Sequence, residues 1–299
     1  SRGKPCHCQD PKPCFDAEGN VVKLLHAATA TSVWHQPDPE KAREEKKHLS
    51  QASRSTRAAR RERRDEHVFD NGARYSGEWF GSARDGHGVQ IWVDGACYEG
   101  EWLDDKAEGH GRFQHANGDI YEGSWRADKA HGHGSYLHRG GTRYVGSWRH
   151  DKQEGDGCEE WPDGAKFKGQ YRSGRKNGTG QFFWSDGSSF KGEFVENDIH
   201  GAGVYSWEDG RVYDGEWKRN RMHGHGVFTW ADGRVYDGEY RNDQKDGHGV
   251  FRWPDGRCYE GQWKLGKQHG IATYHTAKGE KRSGEWDEGR RALWLRHDG

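Results

Sequence analysis

No stretch of this 299-residue chain approaches the roughly 18 consecutive apolar residues that a membrane-spanning helix needs. The first residues lack the charged-then-apolar layout of a secretory signal. Net charge is equally scarce. With 47 basic against 48 acidic side chains, the chain has no global field of the kind that nucleic-acid binding uses, so no nucleic-acid partner is expected. Methionine occurs once, at Met222, and the chain begins at Ser1, so trimming, processing or organelle import stays open. Apolar residues make up only 30%, against about 45–50% in ordinary domains when glycine is counted, which argues against a thick conventional core. What replaces it is 45 glycines and 15 tryptophans: burial is concentrated in a few large rings.

The six cysteines fall into Cys6, Cys8 and Cys14 near the start and Cys97, Cys158 and Cys258 far apart. The later three lie whole repeats from one another, beyond disulfide reach in a stack where each repeat touches only its neighbours. A reducing, intracellular compartment is expected.

Internal repetition dominates the rest. An aromatic stands at Tyr75, Tyr98, Tyr121, Tyr144, Phe167, Phe190, Tyr213, Tyr236 and Tyr259, always 23 residues apart, and Arg282 takes a tenth, partial start. Two residues on comes glycine, four on a second aromatic such as Trp79, Trp102, Tyr171, Phe194 or Trp286, then a Gly-x-Gly such as Gly224 and Gly226. The unit closes with Asp-Gly, as at Asp94 and Gly95. Read with period two, the aromatic, glycine and second aromatic share one face of a first strand, and Gly226, Phe228 and Trp230 share one face of a second. A loop of about six polar residues is expected between them, and a type I′ turn at Asp-Gly. Hairpins this small must stack, with glycine leaving room for a neighbouring ring. The expected fold is all-β: an elongated, twisted antiparallel meander of 23-residue β-hairpin repeats. About nineteen strands at about 4.8 Å would span roughly 90 Å, a rod or trough.

Tyr98-Glu-Gly-Glu-Trp102 with Gly109-His-Gly111, and Tyr213-Asp-Gly-Glu-Trp217 with Gly224-His-Gly226, resemble MORN repeats, and the resemblance covers about residues 68–289. It implies an elongated β-array used for protein contacts, for cytoskeletal or ciliary assembly, and for acidic phospholipids. Family members carry such arrays beside a phosphoinositide kinase or lysine methyltransferase domain, and no such domain fits here. The expected organisation is a nonrepeating basic arm at 1–67, extended and partly helical, the array at 68–289, and a cap or tail at 290–299.

Departures from the pattern mark candidate contact sites. His115 and His138 stand where Trp92, Trp161, Trp184, Trp207, Trp230 and Trp253 stand elsewhere, which thins the aromatic layer in repeats two and three. In the ninth unit Ala272 replaces a glycine, and in the tenth Leu293 and Leu295 replace the Gly-x-Gly, so the array is expected to stop there. Leu293, Trp294 and Leu295 form either a cap over an open sheet edge or a docking site. Ahead of the array, residues 40–67 hold ten Lys or Arg against six Asp or Glu. Asp38 as N-cap with Pro39 at the first position predicts a polar helix over about 39–66. It reads as a solvated linker or as a docking arm that sets Arg57, Arg60, Arg61, Arg63 and Arg64 on an acidic surface.

The chemical motifs are weaker. Cys6-His7-Cys8 with Cys14, and His26, lack paired zinc-ligand spacing, so no metal is assigned. His87, His110, His133, His225 and His248 recur between paired glycines, but equivalent positions lie two strands or about 9.6 Å apart, too far to share a zinc bound at about 2.0–2.1 Å. The column reads as solvated or hydrogen-bonded, or as a surface that turns cationic near pH 6 and attracts phosphates. The Gly-x-Gly units lead into strands rather than a phosphate-binding helix. Glu99, Glu122, Asp214 and Asp237 recur rather than form a unique acid–base pair. The sequence therefore points to a noncatalytic, cofactor-free scaffold or adaptor holding partner proteins of a larger assembly in a cytoplasmic, cytoskeletal or ciliary setting. The alternative is a phosphoinositide-directed membrane tether that resembles the repeat region of phosphoinositide kinases.

Overall fold

The computed structural model describes residues 57–295. These fall in two compact units divided between Gly155 and Asp156. The first holds β1 (Glu62–Val68), β2 (Arg74–Phe80), β3 (Ala83–Ile91), β4 (Cys97–Leu103), β5 (Lys106–Gln114), β6 (Ile120–Arg126), β7 (Lys129–Leu137) and β8 (Arg143–Arg149). The division falls within β9 (Lys152–Glu160). The second unit continues with β10 (Lys166–Arg172), β11 (Arg175–Phe183), β12 (Ser189–Val195), β13 (Asp198–Ser206), β14 (Val212–Lys218), β15 (Arg221–Thr229), β16 (Val235–Arg241), β17 (Gln244–Arg252), β18 (Cys258–Lys264), β19 (Lys267–His275), β20 (Lys281–Asp287) and β21 (Arg290–Trp294). Within each unit every strand pairs antiparallel with the next, so both are meanders.

The core is a single layer of rings laid over glycine. In β4, Tyr98, Gly100 and Trp102 point inward and alternate with exposed Glu99 and Glu101. Gly100 sits opposite Gly111 of β5. A Cβ built on Gly111 would lie 2.4 Å from the Tyr98 hydroxyl oxygen, so only glycine admits this ring across the strand. The hydroxyl donates to the Glu101 carbonyl at 3.0 Å, and Tyr75, Tyr121, Tyr144, Tyr213, Tyr236 and Tyr259 repeat that bond three residues on. Phe167 and Phe190 fill the same place without it. Within each unit, first-strand aromatics pack edge-to-face on their own second aromatic and on that of the following repeat: Tyr98 on Trp102 at 5.0 Å and on Trp125 at 5.2 Å, and Phe190 on Phe194 at 5.3 Å and on Trp217 at 5.6 Å. Such pairs contribute about 0.5–1.5 kcal/mol each beyond area burial. Trp102, Trp125, Trp148, Trp217 and Trp263 also donate Nε1–H to a glycine carbonyl of the preceding repeat.

Turn chemistry differs from the sequence expectation. Asp-Gly does not form a type I′ turn: at this end Trp92 and Gly95 close a turn in which only Gly95 has positive φ, +88°. The two-residue turn with both φ positive joins the two strands of a repeat instead, at Asp104 (+48°) and Asp105 (+64°) or Arg219 (+49°) and Asn220 (+63°). The expected six-residue loop is therefore mostly strand. The reason lies in the carboxylate or amide at the second turn position. Asp128 accepts the Ala107 amide at 2.7 Å and Asn220 accepts the Ile199 amide at 2.7 Å, tying each turn to the previous repeat. The strand then accommodates its surplus residues as a bulge at Gly109, φ +70°, where the Glu101 carboxylate accepts the His110 amide.

The ends also differ. The helix expected over 39–66 does not extend to its C-terminal part: Arg57–Arg60 form one turn and 62–66 lie in β1, held by pairing with β2, while 39–56 lie outside the described residues. The tenth unit does not stop at one strand, because β21 pairs with β20 without any Gly-x-Gly. With β1 added before the first repeat, the described strands number 21 rather than about nineteen.

Candidate partner-binding surface

The two repeat positions singled out by histidine come together through one carboxylate. Asp119, whose side chain is 1% exposed, lies 3.8 Å from His138 Nε2. It also accepts the Tyr136 hydroxyl at 2.7 Å, the Arg139 amide at 2.8 Å and the Asn117 side-chain amide at 3.1 Å. Burial pushes the Asp119 carboxyl up, but the Arg139, Tyr136 and Asn117 bonds outweigh it and hold the group below the usual carboxylate range. His115 packs edge-to-face on Phe113 at 4.5 Å and faces Tyr136 at 6.3 Å, and burial lowers its pKa. His115 is thus set against rings and a buried carboxylate, while the His138 side chain stays 43% exposed.

The arm arginines divide. Arg57 and Arg61 both reach the fully buried carboxylate of Asp85, at 2.6 and 2.7 Å, and Arg57 also pairs with Asp104 and stacks on Phe80. Arg64 pairs with Glu62, donates to the Gly81 carbonyl at 2.7 Å and lies over Trp79. Arg60 and Arg63 are exposed. At the other end, Trp294 turns inward to pack on Trp286 at 5.9 Å and under Arg291 at 4.3 Å, while Leu293 and Leu295 are 46% and 38% exposed. Trp294 is thus the least exposed of the three, and the leucines face solvent.

The surface that sequence reasoning passed over lies in the second unit. Phe182, Trp184, Tyr205, Trp207, Phe228, Trp230, Phe251 and Trp253 form one continuous zigzag, with successive ring centroids 4.5, 5.0, 4.4, 5.3, 4.4, 5.4 and 4.5 Å apart. The second-strand rings are buried, whereas Trp184, Trp207, Trp230 and Trp253, which stand at the turns, are half-exposed. In repeats six to eight the residue after Asp-Gly is arginine, and its guanidinium folds back on the tryptophan of its own turn: Arg211 on Trp207, Arg234 on Trp230, Arg257 on Trp253, at 5.1–5.3 Å. Asp209, Asp232 and Asp255 fix each arginine by an ion pair of 2.7–2.8 Å.

Beside this stripe sits Lys245. Its ammonium lies 4.7–4.9 Å from the ring centroids of Trp230, Tyr236, Phe251 and Trp263. Desolvation by these rings, with Arg234 adding to it, lowers its pKa to about 8. Lys176 occupies the equivalent place three repeats earlier, where it pairs with buried Glu159 at 3.1 Å. Phe228 fills the place of Glu159 for Lys245, so among the described residues its ammonium has no ion-pair partner. Aligned by repeat, the column is mixed, with Ala107, Ala130, Ile199 and Met222 against Arg84, Gln153, Lys176, Lys245 and Gln268, so periodicity alone does not single out Lys245.

The histidine column is exposed, with His225 3.1 Å from Asp237, and no group of three His, Cys, Asp or Glu among the described residues is placed to hold a metal. No helix among them is long and apolar enough to cross a membrane.

The meander of glycine-backed hairpins and the ring ladder define a tandem-repeat β-array, a scaffold-type architecture rather than a catalytic one. The chain belongs to the MORN repeat family, which matches nine consecutive segments at 75–97, 98–120, 121–143, 144–166, 167–189, 190–210, 213–233, 236–256 and 259–281. No curated protein matches it. Among solved structures it is similar to the TCP10 domain of Danio rerio CPAP in complex with a STIL peptide, at 13% identity and TM-score 0.42, covering 78% of this chain and 98% of that one. It is similar also to the Drosophila melanogaster SAS-4 TCP domain in complex with a proline-rich motif of Ana2, at 16% identity and TM-score 0.33, covering 58% and 86%. A third is the CPAP G-box domain, at 12% identity and TM-score 0.37, covering 68% and 100%. These likenesses carry no functional argument.

Proposed function

We propose that this chain is a noncatalytic scaffold that holds a partner protein along repeats five to eight, within a larger assembly of the cytoskeletal or ciliary kind. MORN repeats in general serve protein or membrane-lipid contacts. The observation that supports the protein reading is the half-exposed tryptophan row from Trp184 to Trp253, rings of the type enriched at interfaces, held rigidly by stacking and by arginine. The phospholipid reading comes second. It draws on the basic arm, where Arg57, Arg61 and Arg64 are engaged within the fold and Arg60 and Arg63 remain. The test compares proteins co-purifying with the tagged full chain and with its Trp207→Ala/Trp230→Ala form, alongside flotation on phosphoinositide vesicles. Selective loss of partners from the variant supports the proposal. Partners retained in full, or binding to vesicles alone, would sink it.

A further inference from the structure

We infer that the tryptophan stripe takes an acidic polyproline II segment, running across the strands, with one of its carboxylates paired to Lys245. This rests on the partner-binding reading and names the occupant. The first ground is spacing. Equivalent tryptophans recur once per repeat, two strands apart, a nominal spacing of about 9.6 Å, and the ring-to-ring steps through Tyr205, Phe228 and Phe251 keep successive ones within about 10 Å. A polyproline II helix has three residues per turn at about 3.1 Å each, so it presents the same face every ~9.3 Å, and residues i, i+3 and i+6 meet successive tryptophans. At the nominal strand spacing the mismatch over three steps is about 1 Å. A β-strand returns the same face every second residue, at about 6.6–6.8 Å, and drifts out of step at once. An α-helix returns it after seven residues, at about 10.5 Å, and is out by nearly 3 Å over the same distance. Sheet twist adds to any mismatch, so the commensurate ligand is a short one of three or four turns.

The second ground is surface chemistry. Proline rings dock on aromatic-lined grooves, and the preformed helix has little entropy to lose. Each tryptophan of repeats six to eight is held in one orientation by its own Asp–Arg pair, which leaves a fixed, amphipathic platform instead of a mobile ring. The third ground is charge. Those three arginines are already neutralised by Asp209, Asp232 and Asp255, so the unmatched cation beside the stripe is Lys245, and Trp230 belongs both to the stripe and to its cage. A largely buried ammonium without a counter-ion among the described residues is stabilised by an incoming carboxylate. The groups facing it are Arg234, which repels it, and Tyr236, whose phenol is kept protonated by burial. Since burial brings Lys245 to about 8, affinity for the acidic ligand falls as pH rises from 7 to 9.

The experiment is calorimetric titration of the full chain with five peptides of matched length: (Pro-Pro-Glu)4, (Pro-Pro-Lys)4, (Gly-Ser-Glu)4, dodecaproline and an amphipathic Leu/Glu helix of the same charge as the first. The expected result is saturable binding of (Pro-Pro-Glu)4, at least tenfold weaker binding of (Pro-Pro-Lys)4, and none of (Gly-Ser-Glu)4. Trp230→Leu, with its fold checked by circular dichroism, abolishes the signal. Lys245→Met, which copies the side chain of Met222 at the same repeat position, weakens (Pro-Pro-Glu)4 tenfold and leaves dodecaproline unchanged. Binding of (Pro-Pro-Glu)4 no tighter than (Gly-Ser-Glu)4, or unaffected by both variants, overturns the inference. Stripe-dependent binding of the helix alone overturns the polyproline occupant while sparing the docking surface, and no binding by any peptide counts against both.

Discussion

The Asp128 carboxylate accepts the Ala107 amide at 2.7 Å, twenty-one residues back, while the Asp128 amide donates to the Ala107 carbonyl at 3.0 Å. This reciprocal pair fastens one hairpin turn to the preceding repeat. Burial pushes the Asp128 carboxyl up by more than the Ala107 bond lowers it. Its contribution to stability is therefore fullest below the unfolded value of about 3.9 and is lost as pH rises through the folded one. Asn197 and Asn220 fill the same position without charge. Asp128→Asn is expected to raise stability at pH 7 by about 0.5–1 kcal/mol, with the gain shrinking toward pH 4, and Asp128→Ala to lower it by about 1 kcal/mol. Urea unfolding midpoints at both pH values check this.

Gly111→Ala is expected to destabilise the array by about 2–3 kcal/mol, since the new methyl meets the Tyr98 ring. Gly95→Ala, where nothing lies within 4 Å but φ is +88°, costs about 1 kcal/mol through backbone strain alone. The ratio of the two, measured by thermal unfolding, separates ring clearance from conformation.

Lys245→Met is expected to stabilise the free protein at pH 7 by about 1–2 kcal/mol, because the lost cation–π contacts offset only part of the desolvation cost. Between about 8 and the unfolded value of about 10.4 the folded lysine holds fewer protons than the unfolded one, so wild-type stability from this group rises with pH and the difference narrows. Denaturation at pH 7 and 9.5 reads the trend. A gain unchanged with pH would contradict it.

Asp85→Ala leaves Arg57 and Arg61 without their shared carboxylate and is expected to cost about 1–2 kcal/mol, reduced from a fully buried pair because both arginines are over a quarter exposed. Repeats contact only their neighbours, so the loss stays local. Hydrogen exchange should accelerate in β1 and β2 and remain unchanged in β6.

Much of the fold was legible in the sequence because a constant 23-residue phase ties every ring to a glycine, and alternation fixes which face each occupies. Reading Asp-Gly as the type I′ turn failed for a physical reason. The decisive partner of the true turn, the amide that Asp128 or Asn220 accepts, belongs to another repeat, and local preference says nothing of it. The arm arginines likewise looked free until the fold set Arg57 and Arg61 against Asp85.

By itself, then, the sequence determined the hairpin unit, its number of recurrences and the aromatic-over-glycine face, since these follow from periodicity and from the space a missing Cβ leaves. Only the tertiary structure decided which charges are satisfied. Lys176 and Lys245 occupy the same repeat position and both lie among rings, yet Glu159 pairs with the first while Phe228 stands at the matching position for the second. That difference depends on a neighbour from the preceding repeat, which stacking alone brings into reach.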